Sequence, residues 1–361
     1  MSTPHFHRLT VGEVRRETAD CVSIVLEVPA ALEQGFRFTQ GQYLNVRREF
    51  GGSEARRSYS ICSAPGEGEL RVAVKEVGGG LFSTWANREL KAGDALEVMP
   101  PEGRFFVPLD PAHKKHYVAF AAGSGITPVL SLARATLGTE PGSRFTLVYG
   151  NRTLASVIFN EALEDLKDWH MARFALYHVF SRDVQAVDLF NGRVDGAKAG
   201  EFLDALIPAA TIDEVFVCGP DSMGDAVKAA LGARGVPAAK VHLERFGAPA
   251  SPAGRRAPRP VPQAAAGNVA NVTVIVDGVR FNLELPEAGE SILEAALRAG
   301  ADLPYACKAG VCCTCRARLV EGEVRMDANY TLEAAEIEAG FRLACQSHPL
   351  TPRVVLDFDQ R

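Results

Sequence analysis

No apolar run in this chain approaches the roughly 18 residues needed to cross a bilayer, and the first nine residues hold His5, His7 and Arg8 where a secretory signal would place an apolar core. That excludes a membrane-spanning protein, and a cytoplasmic one is expected. The chain also lacks a surplus of positive charge. Its formal charge is −5, and the deficit sits in residues 269–361, which hold 14 acidic against 9 basic side chains while the remainder is balanced. Such a balance argues against nucleic-acid binding and allows an acidic docking face. Internal repeats are absent. With 47% hydrophobic and 23% charged residues, wholesale disorder is excluded as well. Disulfides are not expected in a reducing compartment, yet there are eight cysteines and five of them crowd into the last sixty residues. A metal or redox site is therefore the leading question.

At about 150 residues per domain, 361 residues suggest two or three domains. Residues 248–268 carry Pro249, Pro252, Pro258, Pro260 and Pro262 among Ala, Gly and Arg, with no apolar periodicity, and read as a linker. Its reach is roughly 60 Å as polyproline II or about 25 Å as a flexible coil. Upstream, short β-rich runs at 21–28, 42–46, 70–77 and 95–98, separated by Gly, Pro and charged turns, predict an antiparallel β-barrel over 1–110. From His116 the pattern changes to apolar strands (117–121, 145–149, 214–218) alternating with helical stretches (128–137, 158–166), which predicts an α/β parallel sheet over 111–247. Beyond the linker, 272–276 and 279–285 flank Asp277-Gly278, a favoured hairpin turn, and a helix follows from Ser291 to Gly300. The fold class expected is multidomain, with an α+β domain over 269–361.

Cys307, Cys312, Cys315 and Cys345 stand as C-x4-C-x2-C with a fourth cysteine after 29 intervening residues, the spacing of a plant-type [2Fe–2S] site. Two irons need four thiolates from one wrapping loop, and the small residues Ala306, Ala309, Gly310 and Thr314 let backbone N–H groups reach the sulfurs. A zinc site is the alternative. Zinc sites use two short C-x2-C-like pairs, and only one exists here. Cys313 falls between two ligands and could shift the register; reading it as a non-ligand preserves the spacing. Cys21 and Cys62 read as core residues. The segment resembles a plant-type ferredoxin of β-grasp fold.

Such a cluster carries one electron whereas a nicotinamide donates two as hydride, so a flavin must stand between them. Five further segments bear on this. Arg57-Ser58-Tyr59-Ser60 follows Phe38-Thr39-Gln40-Gly41-Gln42-Tyr43, and Gly79-Gly80-Leu81-Phe82-Ser83 places glycines before a helix. Gly123-Ser124-Gly125-Ile126-Thr127-Pro128 leaves an apolar strand and opens a helix, with Thr127 placed to cap it and Pro128 suited to its first turn. Its terminal proline departs from the generic dinucleotide G-x-G-x-x-G. Val217-Cys218-Gly219-Pro220 ends another strand about 95 residues later. Each alone could be an ordinary turn.

In this order the segments resemble the ferredoxin–NADP reductase superfamily fused to a ferredoxin domain. The resemblance implies FAD bound by Arg57, Ser58, Tyr59, Ser60, Val74, Lys75, Gly79, Gly80 and Ser83, with Phe246 covering it. It implies NADPH phosphates on Gly123, Ser124, Gly125 and Thr127, a 2′-phosphate met by Arg152, Ser181 and Arg182, and the nicotinamide beside Cys218, Gly219 and Pro220. Ser60, Cys218 and Glu244 would be the catalytic set. The segments 121–128, 242–246 and 303–308 further resemble the reductase components of bacterial phenylacetyl-CoA epoxidases, which implies di-iron oxygenase subunits as partners. A reductase of a Rieske dioxygenase or another monooxygenase shares every motif, and a ferredoxin-like redox-sensing protein with a vestigial nucleotide domain is the alternative outside enzymes.

Overall fold

The computed structural model describes residues 5–246 and 269–360, so the expected linker lies outside the described residues. Two units follow from the packing, one dominated by His7–Phe246 and the other by the chain after the linker.

In the larger unit, strands β1 (His7–Thr18), β2 (Cys21–Glu27), β3 (Tyr43–Phe50), β4 (Ser53–Ser60), β5 (Leu70–Lys75) and β6 (Ala95–Val98) form a six-stranded sheet in the order β4-β3-β6-β1-β2-β5, with every neighbouring pair antiparallel. A bridge between Ile61 and Val72 joins the two ends of that order and closes the barrel. Helix α1 (Leu81–Arg88) plugs it with Phe82 and Trp85, packed with Leu9, Ile24 and Leu44. Full burial of a side chain such as Phe82 is worth about 1.5–3 kcal/mol. β1 and β4 are rich in Arg and Glu, and their charged faces hide them from a search for apolar runs.

The chain then builds β7 (His116–Ala122), α2 (Ile126–Thr139), β8 (Arg144–Asn151), α3 (Asn160–Trp169), β9 (Phe174–Phe180), α4 (Gly196–Ala205), β10 (Glu214–Cys218), α5 (Asp221–Ala233) and β11 (Val241–Glu244). The five strands are parallel, in the order β11-β10-β7-β8-β9. Central strands buried on both faces read as unbroken apolar runs, and Tyr117, Val118, Ala119, Phe120 and Ala121 show no exposure at all. Barrel and sheet share one core. Cys21, Cys62 and Phe105 pack in the same cluster as Ile126, Tyr149 and Phe216, and the buried Ser131 hydroxyl donates to the Ser63 carbonyl at 2.7 Å.

In the second unit, β12 (Val269–Val276), β13 (Val279–Pro286), α6 (Ile292–Arg298), β14 (Arg316–Glu321), β15 (Val324–Met326), α7 (Ala334–Glu338), β16 (Phe341–Leu343), β17 (Ser347–Pro349) and β18 (Arg353–Asp357) give a mixed sheet, β13-β12-β18-β14-β16, with β15 and β17 paired apart. The Asp277-Gly278 turn has φ of 49° and 74°, as a two-residue hairpin of that composition requires. Ser291 caps α6 by accepting from the Glu294 N–H, and Gly300 ends it at φ 87°. Among the described residues no helix is long and apolar enough to cross a membrane.

Candidate functional site

The C-terminal ends of β7 and β10 lie side by side, and each releases a glycine turn. From β7 the chain enters α2 through a 3-10 turn, Gly123–Gly125, with Gly123 at φ 54°. Thr127 is not the cap the sequence predicts. Gly125 holds that place, and Thr127, the second residue of the first turn, donates its hydroxyl to the Ser124 carbonyl at 3.0 Å. Pro128 sits in the first helical turn, where a missing N–H has no consequence. Gly125 rests against the second turn: a Cβ built there would lie 2.1 Å from the Cys218 carbonyl oxygen. Gly219 is less tight, since its Cβ would meet the flexible end of Met223 at 2.7 Å and the Ala122 methyl at 3.2 Å. Pro220 is exposed and precedes α5.

Strand β11 pairs with β10 in parallel so that Glu244 lies level with Cys218. From the barrel, Ser60 at the end of β4 donates its hydroxyl to Glu244 Oε1 at 2.9 Å. Three residues far apart in sequence thus meet at one point. Burial pushes the Glu244 carboxyl up to about 8, although the Ser60 hydroxyl pulls it down. The Cys218 thiol, fully buried beside that carboxyl, is pushed well above its ordinary value, mainly by desolvation. Arg245 ties the following tail to α5 through Asp221 at 3.4 Å and Asp225 at 2.5 Å, leaving Phe246 about half exposed.

On the barrel side, Arg57 is exposed and has no carboxylate partner among the described residues, Ser58 donates to Asn45, and Tyr59 packs on Phe82 with ring centroids 5.5 Å apart. Gly79 takes φ 76°, Gly80 precedes α1, and the Ser83 hydroxyl accepts from the Val77 N–H. Lys75 stands 3.7 Å from Asp20 and 4.0 Å from where a Gly123 Cβ would be, between barrel and glycine turn. Val74 is fully buried and its carbonyl is engaged by Asn87, so its side chain belongs to the barrel core. Arg152, Ser181 and Arg182 all come to the ends of β8 and β9, where the Arg182 N–H donates to the Arg152 carbonyl at 2.9 Å. Both arginines are exposed and unpaired with carboxylates among the described residues. Sequence reasoning gave no role to Arg245 or to the hydroxyl of Tyr149, which donates to the Gly123 carbonyl at 3.0 Å, although both lie in segments that carry site residues, Tyr149–Arg152 and Glu244–Phe246.

In the second unit the four expected ligands form two neighbouring pairs. Cys307 hydrogen-bonds with Cys312, and Cys315 with Cys345. Among the described residues no three His, Cys, Asp or Glu side chains converge on a single-ion site, and paired thiols suit two irons. The Cys312 thiol, together with the N–H groups of Ala309, Val311 and Cys312, draws Cys307 down to about 5, and Cys345 is lowered by Cys315. The Ala309 N–H lies 3.3 Å from Cys307 Sγ, and Gln346 Nε2 lies 3.5 Å from Cys345 Sγ. This donor set fits a thiolate-bound cluster. Cys313 is turned away: its φ of 57° sends the thiol to Thr331 Oγ1 at 3.0 Å.

Three family models match in the order expected: an oxidoreductase FAD-binding domain over 8–107, an oxidoreductase NAD-binding domain over 120–229 and a 2Fe-2S iron-sulfur cluster binding domain over 274–350. The chain is 47% identical to a subunit of the 1,2-phenylacetyl-CoA epoxidase of Escherichia coli (strain K12), over 99% of this chain and 98% of that protein. This protein belongs to the flavin and iron–sulfur reductases of oxygenases. Within that reductase family it is also 35% identical to the ferredoxin reductase component of 3-ketosteroid-9-alpha-monooxygenase from Rhodococcus rhodochrous, with 99% of both chains covered. Among solved reductases, phthalate dioxygenase reductase, described as modular for electron transfer from pyridine nucleotides to [2Fe-2S], superposes with a TM-score of 0.58 and 27% identity over 98% of each chain. The fold class is therefore as expected. FAD, a nicotinamide nucleotide and a [2Fe–2S] cluster are the cofactors of this reductase.

Proposed function

We propose that this chain is the cytoplasmic, NADPH-dependent reductase of a di-iron oxygenase of the phenylacetyl-CoA epoxidase type. The meeting of Ser60, Cys218 and Glu244 carries the reading, because it closes a barrel residue and two strand ends around one small volume. The partner assignment is supported by the higher identity to the epoxidase component, 47% against 35% for the ketosteroid relative.

Arg57, Ser58, Tyr59, Ser60, Lys75, Gly79, Gly80 and Ser83, with Phe246, would hold FAD, and Cys307, Cys312, Cys315 and Cys345 would hold the cluster. When bound, FAD supplies the conversion of hydride into single electrons and the cluster supplies their carriage one at a time. The chain's own residues do the rest. Gly123, Ser124 and Gly125 offer N–H groups at a helix start to the dinucleotide phosphates, while Thr127 braces the turn from inside the helix. Arg152 and Arg182, beside Ser181, offer planar forks to a 2′-phosphate. Cys218, Gly219 and Pro220 wall the nicotinamide end. Glu244, mostly protonated at neutral pH, and Ser60 Oγ form a two-group path on which a proton can be held.

Anaerobic NADPH titration tests this. Flavin and cluster absorbance should fall together, extracted flavin should be FAD, and Arg152→Ala with Arg182→Ala should raise KM for NADPH about tenfold or more while sparing NADH. A protein that NADPH does not bleach, or arginine variants that affect both nucleotides equally, contradict the proposal. Pull-down should recover di-iron oxygenase subunits in preference to a Rieske protein.

A further inference from the structure

The structure assigns to Tyr149 the role of a positioning residue: its hydroxyl sets the first peptide of the Gly123–Gly125 turn and thereby the affinity for the dinucleotide's pyrophosphate. The inference rests on the nucleotide site proposed above. Tyr149 is fully buried at the end of β8, level with Ala121 on β7, and its hydroxyl reaches Gly123 O at 3.0 Å. In a trans peptide the carbonyl and the next N–H point in opposite directions. Holding the Gly123 carbonyl from the interior therefore turns the Ser124 N–H outward, and Thr127, on the Ser124 carbonyl, does the same for the Gly125 N–H. As the first donors of a helical turn, those N–H groups have no intrahelical acceptor and are available to an anion.

Gly123 makes the strap necessary. Its φ of 54° is one of several conformations open to glycine, and the backbone restrains the peptide plane only through the Ile126 N–H, which is shared between the Gly123 and Ser124 carbonyls, so the Tyr149 hydroxyl is the second hold on that plane. If that plane rotates, a carbonyl oxygen replaces an N–H at the place where phosphate arrives. Burial keeps the phenol protonated and a permanent donor. The ring also packs against His178, with centroids 6.0 Å apart, so Tyr149→Phe removes the oxygen without emptying the space.

The test uses the full, cofactor-loaded protein and NADPH-driven ferricyanide reduction. Tyr149→Phe should raise KM for NADPH about 5–20-fold, the worth of one buried hydrogen bond, while leaving kcat at saturation within about twofold. Two competitive probes separate positioning from general loosening. ADP-ribose, which carries the pyrophosphate, should lose inhibition by the same factor as KM. 2′-AMP, which carries only the phosphate assigned to Arg152 and Arg182, should keep its inhibition constant. An unchanged KM, a fall confined to kcat, or equal losses for both probes overturns the inference while the site assignment stands. Failure of ADP-ribose to inhibit the unaltered protein overturns the site assignment as well.

Discussion

Gly125→Ala tests the contact between the two glycine turns. Gly125 has φ −62° and ψ −8°, which alanine adopts without strain, so conformational freedom is not what the position demands. It demands the absence of an atom. A Cβ would stand 2.1 Å from Cys218 O, 2.5 Å from Cys218 C and 2.9 Å from Gly219 N, all backbone atoms. An ordinary carbon–oxygen contact is about 3.3 Å, so the turns must separate by more than about 1 Å. Displacement of that size between reacting groups costs about 100-fold in rate, or about 2.7 kcal/mol of barrier. Overpacking adds about 1–3 kcal/mol of lost stability. The assay is stopped-flow reduction of the bound flavin by saturating NADPH without oxygen, with flavin and iron contents matched to the unaltered protein. Dithionite-driven transfer to cytochrome c, which needs no nucleotide, should stay normal. A variant reduced by NADPH within threefold of the normal rate would refute the argument that this contact sets the geometry of the nicotinamide end.

Serine in place of Cys307, Cys312, Cys315 or Cys345 should each abolish the cluster, read as iron content and visible absorbance, whereas Cys313→Ser should keep both because its thiol faces Thr331. Retention of a full cluster in any of the first four contradicts the ligand assignment. Acid should weaken the larger unit through His116. Burial, then the nearby Arg144, lowers its pKa from an ordinary 6.5 to about 4, and its ring nitrogens are engaged by Thr211 and Thr146. A lowered folded pKa means that the unfolded chain binds the proton first, so this contribution is complete above pH 6.5 and is lost as the pH falls towards 4, by about 3 kcal/mol. Urea unfolding between pH 7.5 and 4.5 should show a shallower pH dependence in His116→Gln than in the unaltered protein; parallel curves count against it.

What can be read from the residues alone depends on how local the signal is. Four thiolates within forty residues declare a cluster because iron chemistry imposes the spacing, but the pairing of Cys307 with Cys312 and of Cys315 with Cys345, and the turning away of Cys313 by a left-handed backbone, follow only from how the loop wraps. The apolar strands of the parallel sheet are legible because both their faces are buried. β1 and β4 are not, since Arg15, Glu17, Arg56 and Arg57 place charge along both strands, Arg56 even where it is buried and paired with Glu54. Thr127 shows a local rule yielding to its surroundings: residue type predicts a cap, yet the preceding 3-10 turn moves the helix start to Gly125 and makes the threonine a brace. Val74, placed in the cofactor set by resemblance, sits in the barrel core, and no pattern of residue types separates the two.

The location of the site has a topological cause that no motif contains. The chain runs β7, β8, β9 towards one edge of the sheet and then returns to lay β10 and β11 on the other side of β7. Between β7 and β10 the order reverses, and at such a point the turns leaving adjacent strands diverge and leave a crevice at the carboxyl ends. Gly123 follows β7 and Gly219 follows β10, so both glycine turns border that crevice. Each turn must then be slim where it meets the other, which is why Gly125 lies on the Cys218 carbonyl and Gly219 on Ala122. β11 extends the sheet by one strand beyond β10 and brings Glu244 to the same edge, where the barrel supplies Ser60 as the partner its buried carboxyl needs. A bulky side chain in either turn should therefore disturb nucleotide chemistry by parting the two turns at their contact.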